Sequence, residues 1–119
     1  MLRTVLIVDD DAEFRELAGR LLKASGLTVV GEADSVSAAL TASARLEPSA
    51  FLVDVELPDG DGITLARELA ALPWHPQVVL TSIDDEIITT HGAQSVGARA
   101  FVAKAEIPNA PLARLLGGE

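Results

Sequence analysis

Apolar residues in this chain follow two rhythms. One is a short unbroken run that closes on a polar side chain: "TVLIVD" (Thr4 to Asp9), "AFLVD" (Ala50 to Asp54), "QVVLT" (Gln77 to Thr81) and "AFVAK" (Ala100 to Lys104). Runs without alternation suit strands buried on both faces, as in a parallel sheet. "LTVVGE" (Leu27 to Glu32) reads as a further strand. The second rhythm is helical. Phe14, Leu17, Ala18, Leu21 and Leu22 recur at i, i+3, i+4, i+7 and i+8 and mark one face of a helix. Asp10 or Asp11 is placed to cap it, and Gly26 to stop it. A second helix follows Ser35 as N-cap and stops before Pro48. The segment "VELPDGDG" is turn chemistry, and "ITLARELAAL" after it is a helix closed by Pro73. Residues 85–96 predict a weaker helix, since Ile87, Ile88, Thr89, Thr90 and Gly92 favour helix poorly. Asn109 is placed to cap a last helix through Leu116, ended by Gly117 and Gly118.

Strands alternating with helices in this way predict an α/β fold with parallel strands and right-handed crossovers. Five such units predict a flavodoxin-like, doubly wound, five-stranded parallel sheet of order 2-1-3-4-5 with five helices. With 119 residues, a single domain spanning 1–119 is expected.

In sheets of this kind ligands bind beyond the carboxyl ends of the strands. Those ends carry Asp9 and Asp10 on strand 1, Asp54 on strand 3, Thr81 on strand 4 and Lys104 on strand 5. Strands 1 and 3 are neighbours in the predicted order, so three carboxylates converge there. Carboxylates that close force one of their number to take up a proton unless a cation joins them. A hard divalent ion such as Mg2+ suits an all-oxygen set and often bridges to phosphate. A carboxylate can also attack phosphorus and form an aspartyl phosphate. Phosphoryl transfer asks mainly for positioning and charge neutralisation, which Mg2+ and one lysine supply.

Composition narrows the field. Hydrophobic residues make up 49 % of the chain, which is that of a folded domain, and aromatics only 3 %. The core is therefore built from Val, Leu, Ile and Ala. There is no cysteine, which excludes disulfides, thiolate zinc sites and thiol nucleophiles. The net charge of −9 leaves no basic stripe to neutralise phosphates, so no direct contact with nucleic acid is expected. No apolar run approaches the roughly 20 residues of a membrane span, and no signal-peptide pattern opens the chain. The expectation is a soluble cytoplasmic protein.

These residues resemble the response-regulator receiver domains of two-component signalling. "VLIVDDD" is similar to the family's first strand with its acidic pair, here Asp9 and Asp10. "FLVDVELPDGDG" resembles the phospho-acceptor strand and its loop, with Asp54, Leu57-Pro58 and Asp61-Gly62. "VVLTS" resembles the strand ending in a hydroxyl residue, here Thr81. "GARAFVAK" resembles the strand with the switch aromatic and the lysine, here Phe101 and Lys104. The resemblance covers nearly the whole chain. It implies that Asp54 is phosphorylated by a sensor histidine kinase or a small phosphodonor. Asp9, Asp10, Asp54 and the main-chain carbonyl of Glu56 would hold Mg2+, and Lys104 would bind the phosphoryl group or pair with Asp54. Thr81 would move to the phosphoryl oxygen and Phe101, expected in the core whether or not it acts as the switch, would turn inward. The changed face would be helix 4, strand 5 and helix 5, controlling homodimerisation or an output domain, with transcription regulation as the expected output. The family is a signalling module and not an enzyme beyond its own phosphorylation and dephosphorylation. No output domain follows within these residues, so the sequence suits a stand-alone receiver or the N-terminal piece of a transcription regulator.

The chain also departs from the family. Ala105 stands where proline usually follows the lysine, so the usual cis bond is absent or costs about 2.5–4 kcal/mol, and the loop after Lys104 is expected to differ in shape. Phe101 replaces a commoner tyrosine. In the family the positions of Glu56 and Ile83 flank the phosphoryl group and influence dephosphorylation, and Glu56 is expected to alter that rate. Asp11 reads as a helix cap, and Asp59 and Asp61 as loop-shaping residues whose spacing does not match a calcium loop. His75 and His91 read as surface residues. Three other functions compete with this one, and a flavin-binding module is the weakest, since no phosphate-cradling Gly/Ser/Thr loop follows strand 1. A haloacid-dehalogenase-like phosphatase would use Asp9 as nucleophile, but no acidic pair follows Lys104 and Asp54 would be left without a role. A receiver-like scaffold would bind partners without phosphorylation.

Overall fold

The structure is a computed structural model that describes residues 3–84 and 90–117. Five strands form one parallel sheet: β1 (Thr4–Val8), β2 (Thr28–Ala33), β3 (Ala50–Asp54), β4 (Gln77–Ser82) and β5 (Ala100–Ala103). Their order is β2-β1-β3-β4-β5, as the topology argument predicts. The α-helices among the described residues are α1 (Ala12–Ala24), α2 (Val36–Leu46), α3 (Gly62–Ala70), α4 (Thr90–Ser95) and α5 (Leu112–Gly117). Among the described residues no helix is long and apolar enough to cross a membrane.

The unbroken apolar runs are explained by two cores, one on each face of the sheet. Leu6, Val8, Phe51, Val53, Val78 and Leu80 pack with Ala39, Leu65, Ala66, Leu69 and Ala93, from α2, α3 and α4. Val5, Ile7, Ala50, Leu52 and Val79 pack with Phe14, Ala18, Leu22, Leu112 and Leu116, from α1 and α5. Successive side chains on a strand point to opposite faces. Both parities are therefore apolar, and Val5 through Val8 have no exposure at all.

The helix ends follow from specific side chains. Asp11 caps α1: its Oδ1 accepts the Glu13 and Phe14 N–H groups at 3.0 and 3.3 Å. Gly26, at φ 86°, takes the left-handed conformation that ends the helix. Ser35 caps α2 through Ala38 N–H, and Asp61 caps α3 through Ile63 N–H. Asp59 adds a second, long-range cap, accepting the Val36 and Ser37 N–H groups at 2.7 and 3.1 Å. Those bonds favour its ionised form and lower its pKa.

Several boundaries differ from expectation. β1 stops at Val8, although Asp9 N–H still donates to Ala33 O at 2.9 Å. β5 stops at Ala103, and Lys104–Asn109 forms a 3-10 turn. Asn109 does not cap the last helix. The proline at 111 has no N–H and a set φ. The helix starts just after it, with Pro111 O accepting Leu115 N–H at 3.0 Å. The part of the predicted fourth helix at residues 85–89, and Gly118, lie outside the described residues. All described peptide bonds are trans, that of Lys104–Ala105 included.

Candidate functional site

Strand parity assembles the site. Asp9, Asp54 and Thr81 lie an even number of residues from Ile7, Leu52 and Val79, which face α1 and α5. Asp54 is paired directly with Thr81 across β3 and β4. Lys104 continues the parity of Val102, which packs on the same side. The side chains of Asp9, Asp54, Thr81 and Lys104 thus leave the sheet toward one another. Asp9, Asp10 and Asp54 each place a carboxylate oxygen within 4.8 Å of the others. Asp9 and Asp54 are buried and Asp10 is exposed.

Lys104 enters this group from the end of β5. Its Nζ lies 2.8 Å from Asp9 Oδ2 and 3.3 Å from Asp54 Oδ2. The first contact is an ion pair without the alignment of a hydrogen bond; the second is a hydrogen bond. The same Nζ sits 4.5 Å from the centre of the Phe14 ring, a cation–π contact.

The two partners titrate in opposite senses. Burial is the largest influence on Asp54 and, with Asp9 nearby, raises its pKa against the opposing effects of Glu56 N–H and Lys104. Burial works to lower Lys104, but Asp9 and Asp54 together outweigh it and raise its pKa. The geometry accounts for both directions. One ammonium faces two carboxylates, whereas Asp54 shares its ammonium with a like charge.

The remaining atoms of the acids are held by the backbone. Asp9 Oδ1 accepts Asp11 N–H at 2.8 Å, and Asp54 Oδ1 accepts Glu56 N–H at 3.1 Å. Thr81 is fully buried, and its Oγ1 has no hydrogen-bond partner among the described residues. Its hydroxyl is therefore available to an acceptor brought to Asp54. A cleft of about 220 Å³ opens here, lined by Asp10, Asp11, Asp54, Glu56, Ser82, Ile83 and Lys104. Asp54 is reached from this cleft and Asp9 lies behind it. Gly62 closes the back of the loop: a Cβ on it would fall 1.9 Å from the Asp54 carbonyl oxygen. That close approach admits only glycine.

The sequence-predicted residues Asp9, Asp10, Asp54, Thr81 and Lys104 are brought together, with Glu56 beside them. Its backbone borders the Asp54 carboxylate and its side chain is exposed. Ile83 is also exposed, at 82 %. Phe101 corrects an expectation. It is half-buried and packs against the core of the α2–α4 face instead of lying within it, because β5 is an edge strand.

Sequence reasoning passed over Phe14 as a neighbour of Lys104, and Arg15. Arg15 Nη1 donates to the Asp9 carbonyl at 2.6 Å, and its Nε pairs with Glu32 Oε1 at 2.7 Å. One signal was present. A cation in the first turn of a helix opposes the macrodipole, so it needs a specific partner.

The donor set is all oxygen, partly buried and bordered by a cleft, which fits a hard divalent cation. Comparison with known proteins agrees with the geometry. The family model for the response regulator receiver domain matches residues 5–115. The transcriptional regulatory protein PdtaR of Mycobacterium tuberculosis is 33 % identical over 102 residues, covering 86 % of this chain and 49 % of that protein. A protein-glutamate methylesterase/protein-glutamine glutaminase of Xanthomonas euvesicatoria is 37 % identical over 105 residues, covering 87 % of this chain and 29 % of that one. The chain therefore spans half or less of the length of these relatives. The signal receiver domain of the response regulator NarL of Mycobacterium tuberculosis superposes with a TM-score of 0.79 at 34 % identity, covering 93 % of this chain and 94 % of that one. The chain belongs to the response regulator receiver domains of two-component signalling.

Proposed function

We propose that residues 1–119 act as one receiver domain whose Asp54 accepts a phosphoryl group from a sensor histidine kinase or a small phosphodonor. The observation that carries this reading is the position of Asp54. It is the buried carboxylate that lines the open cleft, within 3.3 Å of Lys104 and opposite the Thr81 hydroxyl, which has no partner among the described residues. An Asp54 oxygen attacks phosphorus, and the bond from phosphorus to the donor breaks, leaving the donor with the electron pair. Lys104 neutralises charge on the phosphoryl oxygens, and Thr81 Oγ1 donates to one of them. Mg2+, held by Asp9, Asp10, Asp54 and the Glu56 main-chain carbonyl, would supply the further neutralisation that phosphoryl transfer requires.

Thr81 and Phe101 then couple the site to the face made by α4, β5 and α5, and through it to homodimerisation or an output domain in the cytoplasm. Transcription is the output we favour, since PdtaR is a transcriptional regulator. The phosphatase alternative needs Asp9 as nucleophile, and Asp9 is fully buried behind the cleft with Lys104 on its Oδ2. The test is intact mass after incubation with Mg2+ and a small phosphodonor. One added phosphoryl group, lost in Asp54→Ala, supports the proposal. No adduct favours a phosphorylation-independent scaffold, and an adduct lost only in Asp9→Ala favours the phosphatase.

A further inference from the structure

We infer that Arg15 is a positioning residue for the acidic pair, setting the affinity of the site for a divalent cation without touching it. The inference rests on the proposed function above, since it concerns the cation that function uses.

Asp9 is held by a different partner at every polar atom. Its N–H donates to Ala33 of β2, its Oδ1 accepts Asp11 N–H, and its Oδ2 faces Lys104. Its carbonyl, which as the end of β1 has left the sheet ladder, accepts Arg15 Nη1 at 2.6 Å. That carbonyl belongs to the peptide unit joining Asp9 to Asp10. Asp10 is exposed, so packing does not aim its carboxylate, and the orientation of this peptide plane does.

Arg15 is suited to the task. The guanidinium is a planar fork that can hold two acceptors in a fixed relation, which an ammonium cannot. One arm takes the Asp9 carbonyl, and Nε takes Glu32 Oε1 on β2 at 2.7 Å. The side chain is 18 % exposed, and it stands in the first turn of α1, where the helix dipole disfavours a cation. Glu32 offsets that cost. The arrangement ties α1, β2 and the β1 terminus at the one peptide that links two metal-binding acids. Partners that orient metal ligands in this way commonly change affinity by about 10–100-fold when removed.

Charge and position make opposite predictions. Removing Arg15 alone makes the neighbourhood more negative, which would tighten cation binding. The double variant Arg15→Met/Glu32→Gln keeps the net charge at −9 and removes only the clamp. The experiment is calorimetric titration of the 119-residue protein with MgCl2, beside thermal melting and phosphorylation at saturating Mg2+. The double variant should raise the Mg2+ Kd about tenfold and leave the extent of phosphorylation at saturation unchanged. Glu32→Gln alone, which retains the Arg15 contact with Asp9, should stay within about twofold of wild type. Should the double variant not fold, Arg15→Lys keeps the charge and loses the fork, and should raise Kd about threefold. A folded double variant, or in its place Arg15→Lys, with the wild-type Kd overturns the clamp. An equal loss in Glu32→Gln alone overturns it as well. Wild-type protein that binds no Mg2+ overturns the proposed function along with it.

Discussion

The two ends of the sheet are built on different principles. At the amino end Thr4 and Ser49 exchange three hydrogen bonds of 2.9 Å, between each backbone and the other side chain. Beside them Trp74 Nε1 donates to the Pro48 carbonyl at 2.7 Å. These partners are neutral and matched one to one. At the carboxyl end three carboxylates crowd together with one ammonium on two of them, and the Thr81 hydroxyl has no partner among the described residues. One end satisfies its polar groups, and the other keeps like charges together and a donor uncommitted. Such a site is tolerated because the strands beneath it are buried on both faces and paired along their length. Satisfied polar pairs stand at one end, and crowded, uncommitted ones at the other.

The largest test of that contrast is Gly62→Ala. The new Cβ has the Asp54 carbonyl oxygen at 1.9 Å and Val55 Cα at 2.8 Å, so the loop must leave the end of β3. We expect a loss of about 3 kcal/mol in urea unfolding, together with loss of phosphorylation. A variant of wild-type stability would show that the loop yields freely. Next in size is Ser49→Ala, which removes two of the three bonds at the amino end. It should cost about 2 kcal/mol and leave Mg2+ affinity and phosphorylation unchanged. Altered phosphorylation would mean that the two ends are not independent.

The smallest effect has the opposite sign. Burial above all raises the Asp54 pKa above the 3.8 of an unperturbed aspartate. The unfolded chain ionises this group first, so the fold loses stability as pH rises from about 3.8 through the higher folded value. Asp54→Asn should therefore melt above wild type at neutral pH, and the gain should vanish below about pH 3.8. A gain independent of pH would point to something other than ionisation.

Much of this was legible in the chain. The apolar runs, the period-3.6 faces and the caps Asp11, Ser35 and Asp61 each act within a few residues, so their pattern is written locally. The order of the strands followed from the alternation of elements, and with it the meeting of Asp9, Asp10 and Asp54. The family resemblance added Thr81 and Lys104 to the group, and both stand beside Asp54 in the structure. What stayed hidden depends on contacts that cross the chain. Asp59 reads as a loop residue until it is seen capping a helix that begins 23 positions earlier. Phe14 has the spacing of a core residue, and nothing in that spacing announces Lys104 above its ring. Asn109 looked like a cap because the motif preference for asparagine is strong, but the proline two residues on set where the helix starts.

Periodicity and the residue types at strand ends were thus sufficient for the α/β sheet, its order and the cluster of acids, because side-chain direction repeats every two residues in a strand and 3.6 in a helix. Only the folded chain decided how the acids are held. Whether Lys104 faces one carboxylate or two, whether Thr81 finds a partner, and which carbonyl Arg15 grips depend on differences of an ångström between elements. Hydrogen bonds and charges are sensitive at that scale, and a pattern along one dimension does not carry it.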